Sequence, residues 1–184
     1  MAKICVFCGS RTGHNPEFVR TATELGILLA KRQHTMVYGG GSTGIMGALA
    51  DAMLPLGGQI IGVIPTHLAR PELMHSQVAD MRITADMHER KALMHELTDA
   101  YIALPGGFGT MEELFEAVTW AQLELHSRPI AILNTCGLYD GLIQLIHTMH
   151  REGFLSERCL QLLTVCSSID ELASWLEKSA TPST

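Results

Sequence analysis

No apolar run in the sequence approaches the ~20 residues that a membrane-crossing helix needs, and the start, MAKICVFCGS, lacks a basic stretch followed by a signal-type apolar core. A soluble, unexported protein with no membrane partner is expected. Charge is sparse: 17 % of residues are charged, and 13 Lys and Arg against 19 Asp and Glu leave a net charge of −6. That balance disfavours a generic polyanion binder, so no nucleic-acid partner is expected. The five cysteines are an odd number, and Cys5, Cys8, Cys136, Cys159 and Cys166 are scattered rather than framed like a disulfide scaffold. A reducing cytoplasm fits them best. Cys5-Val-Phe-Cys8 has CxxC spacing, but no second ligand pair exists, and in a strand-like run positions three apart point to opposite faces. The nine histidines include the i, i+3 pair His147 and His150, again without a carboxylate- or cysteine-rich partner segment. No metal site is expected.

What is present is apolar material for one full core: 47 % of the 184 residues are hydrophobic. The β-prone runs KICVFC, TMVYG, QIIGVIP, AYIALP, PIAILN and LLTVC alternate with amphipathic stretches from end to end. This rhythm predicts βαβ units and a mostly parallel sheet with helices on both faces. Helix punctuation agrees: Asn15 before Pro16 as cap and first residue, Asp140 near a start, Gly153 after an end, and Ser168 with Glu171 as a capping box. There are no repeats and no linker. A single domain is expected over residues 1–178, with residues 179–184 (SATPST) as a disordered polar tail.

Three strand ends run into small residues: Cys8-Gly9-Ser10, Gly39-Gly40-Gly41-Ser42-Thr43-Gly44, and Pro105-Gly106-Gly107-Phe108-Gly109-Thr110. In an open α/β sheet such ends share one rim, where helix N-termini offer unpaired N–H groups to an anion. One such turn is often only a tight βα connection; two long ones point to phosphate. Gly39, Gly41 and Gly44 satisfy GxGxxG, but after QIIGVIP the chain reads Thr66-His67, where a ribose-binding acid would belong. Neither long loop ends in Gly-Lys followed by Ser or Thr, so a P-loop is excluded too. A site for one phosphate, or a mononucleotide, remains.

The segment Asp86–Leu97 reads as a helix with Met87, Leu93, Met94 and Leu97 on one side and Arg90 in the middle of that stripe. An arginine cannot shed its charge, so this position predicts an anion or a set of acceptors facing it; an ion pair with a carboxylate, or a side chain reaching to water, would serve equally. His88 and His95 fall on the other side and are expected to be solvated. Thr110-Met-Glu-Glu113 has the spacing of a capping box, Thr110 capping and Glu113 reaching back. That would explain Glu113 fully, yet a carboxylate in the first turn of a phosphate-holding helix also stands beside whatever the phosphate carries.

Taken together, CVFCGS, VYGGGSTGIMG, GVIP, DMHERK, LPGGFGTMEEL and TWAQL, spread over roughly residues 3 to 155, resemble the LOG ("lonely guy") family of cytokinin riboside 5′-monophosphate phosphoribohydrolases. Many of its members carry the older label of possible lysine decarboxylases. The resemblance implies a Rossmann-like doubly wound fold and hydrolysis of the N-glycosidic bond of a nucleoside 5′-monophosphate, AMP or an N6-substituted AMP, without a cofactor. The motifs MHxRK and PGGxGTxxE place catalytic residues at Arg90 and Glu113. They imply substrate contacts at Lys91, at Gly106, Gly107, Phe108, Gly109, Thr110, Met111 and Glu112, and at Thr119; Glu72 matches a further binding position. Ser10, Gly41 and Ser42 join them on geometry more than motif. The resemblance also favours a homodimer, and the helix over Gly141–Met149 carries Leu142, Ile143, Leu145, Ile146 and Met149, more apolar surface than one sheet face needs.

Two rival functions fit parts of this pattern. Similar sheets serve as nonenzymatic nucleotide or cofactor carriers, which need the phosphate loops but not both Arg90 and Glu113. A decarboxylase would need pyridoxal phosphate on a lysine, and of Lys3, Lys31, Lys91 and Lys178 only Lys91 is a plausible Schiff base.

Overall fold

The computed structural model describes residues 1–179. Seven strands form one wholly parallel sheet: β1 (Lys3–Phe7), β2 (Thr35–Tyr38), β3 (Ile60–Pro65), β4 (Asp80–Thr84), β5 (Ala100–Ala103), β6 (Ile130–Leu133) and β7 (Leu163–Cys166), in the order β4-β3-β2-β1-β5-β6-β7. The helices are α1 (Glu17–Lys31), α2 (Gly44–Met53), α3 (Met87–Glu96), α4 (Phe108–Gln122), α5 (Asp140–Arg151), the single turn α6 (Glu157–Leu160) and α7 (Ile169–Ser179). Strand order reverses between β1 and β5, which makes a crevice at their carboxyl ends the natural ligand site.

The sheet is buried on both faces because apolar residues occupy both parities of its central strands. Ile4, Val6 and Cys8 of the first run face the core under α1, α2 and α7, while Cys5 and Phe7 face the one under α3 and α4. Cys5 and Cys8 therefore lie on opposite sides of the sheet, as their spacing predicts. All five cysteines are free thiols, and no group of three or more potential metal ligands exists among the described residues. No helix among those residues is long and apolar enough to cross a membrane.

The six anticipated strands form, and β4 is an addition. Its sequence, DMRIT, sits at the sheet edge with Ile83 exposed, so it lacks the apolar run by which the others announce themselves. Local caps follow the sequence closely. Asn15 Oδ1 accepts from the Glu17 amide at 3.0 Å, and Glu171 both donates its amide to Ser168 Oγ and accepts from the Ser167 amide. Gly153, with φ +83°, lets its amide close on His150 O. Ser179 is the last residue of α7, and the rest of the polar tail, residues 180–184, lies outside the described residues.

Candidate active site

The three glycine-containing strand ends do meet on one rim. The Gly9 amide donates to Pro105 O at 3.0 Å, and a Cβ on Gly9 would come within 3.2 Å of Gly106 Cα. Gly44, at φ +66°, lies so close to the Ser10 carbonyl carbon that a side chain there would overlap backbone, and Thr43 Oγ1 donates to Ser10 O at 3.2 Å. The segment Arg70–His75 straps the second loop: Gly41 bridges Met74, the Ser42 amide donates to Leu73 O at 2.9 Å, and Ser42 Oγ donates to Leu73 O at 3.2 Å. Glu72, exposed, rides on that strap.

The third loop turns directly into α4. Gly107 is the N-cap and no side chain caps the helix, so the first amides of α4 remain available for an anion. Around Gly107 and Gly109 a Cβ would meet nothing within 4 Å; at Gly106 it would come within 2.0 Å of Thr110 Oγ1. Gly106 is thus required by packing, whereas Gly107 and Gly109 leave open space above the helix end. Phe108 is 97 % exposed.

This start displaces the capping box expected at Thr110 and Glu113. Glycine is a poor helix former, so the sequence suggests a start after Gly109, but α4 begins at Phe108 and Thr110 is already a helical residue, buried against Gly106. Glu113 lies one turn below Gly109 and Thr110 on the same helix face. Glu113 is 8 % exposed, and its carboxylate does not reach back to a cap; Oε1 lies 3.1 Å from Arg90 Nη2. The acceptor expected opposite Arg90 is Glu113 itself, together with Val63 O, which accepts from Arg90 Nε at 3.2 Å. The guanidinium also fills the space over Gly39, where a Cβ would come within 2.5 Å of Nη2.

Burial pushes the Glu113 carboxyl up to about 6, with Arg90 opposing and Glu112 adding to the rise. Desolvation therefore outweighs the ion pair, and the carboxyl holds its proton closer to neutrality than an ordinary glutamate does.

Lys91 is held between carboxylates. It donates to Glu112 and, at 2.7 Å, to Glu116 Oε2. Burial pulls its ammonium down, but these two partners hold it above the ordinary lysine range. A Schiff-base lysine needs the opposite shift, and Lys3, Lys31 and Lys178 are exposed.

A family model described as possible lysine decarboxylase matches residues 46–176. A probable cytokinin riboside 5′-monophosphate phosphoribohydrolase of Oryza sativa subsp. japonica is 44% identical over 176 residues, 96% of this chain and 79% of that protein. Two cytokinin riboside 5′-monophosphate phosphoribohydrolases of Arabidopsis thaliana are 44% and 43% identical, over 95% and 97% of this chain and 82% and 83% of theirs. The chain belongs to this LOG family. Among solved structures, the molybdenum cofactor binding protein of Rippkaea orientalis shares this chain's fold with TM-score 0.75 at 20% identity over 98% of each chain. The molybdenum cofactor carrier protein of Chlamydomonas reinhardtii shares it with TM-score 0.73 at 20% identity, over 97% of this chain and 98% of that one.

Of the residues singled out in the LOG sequence, Arg90, Glu113, Lys91, Glu112 and the loop Gly106–Met111 form one cluster, while Ser10, Gly41, Ser42 and Glu72 form the neighbouring rim. Thr119 lies elsewhere: it is exposed, six residues beyond Glu113 and so roughly 9 Å farther along α4. His95 corrects the expectation of a solvated residue. It is buried, with Nδ1 2.7 Å from the Tyr101 hydroxyl and Nε2 3.1 Å from Glu116 Oε1. The sequence signal for Glu116 was its spacing, four residues after Glu112 on the helix face opposite Lys91.

Proposed function

We propose that this chain is a phosphoribohydrolase that cleaves the N-glycosidic bond of cytokinin riboside 5′-monophosphates, AMP or both, releasing free base and ribose 5-phosphate. The observation that carries this reading is the buried Arg90–Glu113 pair one turn below the open, uncapped glycine end of α4. The names borne by relatives at 40–44% identity support the same substrate class.

In this mechanism the 5′-phosphate docks on the amides of Phe108, Gly109 and Thr110, where the helix dipole favours a dianion. Gly107 and Gly109 let it approach, and Ser10, Gly41, Ser42 and Glu72 flank the rest of the nucleotide. Binding energy from the phosphate, remote from the bond that breaks, holds C1′ near Glu113. As the C1′–N9 bond lengthens, positive charge grows on the sugar, and the Glu113 carboxylate stabilises it. Glu113 takes a proton from water as the hydroxyl adds to C1′, the base leaves with the bonding pair of the C1′–N9 bond, and that same proton passes from Glu113 to the base nitrogen, which restores the carboxylate. Arg90 cannot act as a base; it orients the Glu113 carboxylate and supplies charge to phosphate, ribose or departing base.

The assembly we propose is a homodimer. α5 buries none of its residues completely although Leu142, Ile143, Leu145 and Ile146 follow each other along it, and Phe115, Leu123 and Leu125 are exposed on and after α4. Exposed apolar side chains on both helices favour a partner, and Thr119 lies between Phe115 and Leu123, where a second copy would meet it. Free buried thiols at Cys5, Cys8 and Cys166 suit a reducing cytoplasm.

Product analysis tests the function. Purified protein incubated with AMP, isopentenyladenosine monophosphate and adenosine should release base and ribose 5-phosphate from one or both nucleotides, with kcat/KM for adenosine lower by at least about 100-fold. Bound nucleotide without any released base would favour the carrier instead.

A further inference from the structure

The two helices that carry Arg90 and Glu113 are supported separately. α3 rests on β3 and β4, and α4 rests on β1 and β5, so the ion pair spans a gap closed by side chains. A second connection crosses the same gap. Lys91 bridges Glu112 and Glu116, Glu116 meets His95 at 3.1 Å, His95 meets the Tyr101 hydroxyl at 2.7 Å, and Arg128 Nη1 donates to that hydroxyl at 3.1 Å.

One assignment of protons satisfies every member. Arg128 donates to the Tyr101 oxygen, Tyr101 donates to His95 Nδ1, His95 Nε2–H donates to Glu116 Oε1, and Lys91 donates to Oε2. This requires a neutral imidazole. Burial lowers the His95 pKa, against the opposing pull of Glu116, in agreement with that state. The ring also lies against Trp120, with centroids 4.3 Å apart. A buried network with all its partners in place is rigid.

We propose that His95 and Glu116 are positioning residues for the hydrolytic site, fixing Lys91 and thereby the spacing of α3 and α4 at which Arg90 meets Glu113. The proposal rests on the phosphoribohydrolase reading. On that reading the phosphate is held chiefly by the first backbone amides of α4, which the network does not touch, so disturbing the network should change the reacting geometry more than substrate binding.

The test compares His95→Leu, close in volume but without a polar atom, with His95→Gln, whose amide nitrogen can still donate to Glu116. For each, kcat and KM with AMP and with isopentenyladenosine monophosphate, the melting temperature, and the rate of reductive methylation of Lys91 relative to exposed Lys31 are measured. His95→Leu should lower kcat about tenfold for a misplaced pair, keep KM within about twofold, and speed Lys91 methylation. His95→Gln should recover most of kcat and the slow methylation whatever its melting temperature. The proposal is overturned if kcat merely tracks melting temperature across the two variants, if the loss lies in KM, or if Lys91 methylation is unchanged in His95→Leu. Native protein that hydrolyses no nucleotide would sink the enzymatic reading instead, and the methylation ratio would still report on whether His95 fixes Lys91.

Discussion

A carboxylate beside an arginine ordinarily titrates low, and Glu113 does not, because burial costs its charged form more than Arg90 returns. Two outcomes follow at this scale. kcat/KM should fall as pH drops through about 6, where Glu113 takes up a proton, and the limb should move to higher pH in Arg90→Met because the lowering influence of Arg90 is gone; a pH–rate profile of both proteins checks the sign. Stability should respond oppositely to rate. The folded protein keeps a proton at about 6 that the unfolded chain, near 4.5, has already released, so Glu113 makes the fold less stable as pH rises across that interval. Glu113→Gln removes this slope and should cut kcat by about 10²–10⁴-fold while circular dichroism stays native. Arg90 and Glu113 were both legible in the sequence, Arg90 as a charge inside an apolar stripe and Glu113 through the family motif. Their contact was not, because the capping-box spacing gave Glu113 a sufficient local explanation.

At the scale of elements, the glycines of the third loop divide by what surrounds them. Gly106→Ala forces a methyl into Thr110 Oγ1 and should destabilise by about 1–3 kcal/mol, seen as a lower melting temperature. Gly109→Ala has free space and a helical position, so it should stabilise by up to about 1 kcal/mol yet raise KM for nucleotides by crowding the phosphate approach. Opposite signs in stability, with the rise in KM expected at Gly109→Ala, would separate a ligand-serving glycine from a packing one. Sequence located this loop but misjudged where its helix begins, since helix propensity alone discounts glycine. It missed β4 because this edge strand, DMRIT, is interrupted by Asp80 and Arg82 and carries no apolar run. His95 was misplaced for a related reason: α3 has a weak apolar stripe, and its buried face is partly polar, made of pairs that only α4 and β5 can supply.

For the whole molecule, strand order matters most. The reversal between β1 and β5 brings Cys8-Gly9-Ser10 and Pro105–Thr110 together, and the neighbouring β2 adds Gly39–Gly44, so the glycine loops gather where two halves of the sheet diverge. That arrangement followed from the βαβ rhythm; the apolar outer face of α4 and α5 was legible only in part. Leu145→Glu should leave the fold intact and halve the mass measured by light scattering if the chain pairs through that face. On the proposed mechanism, sugar phosphate on the α4 amides sets C1′ against Glu113. A crystal structure of Glu113→Gln soaked with AMP tests it most directly. Phosphate should lie on the amides of Phe108–Thr110 with C1′ within one water of residue 113; phosphate bound elsewhere, or a ribose turned away from that side chain, would refute the mechanism.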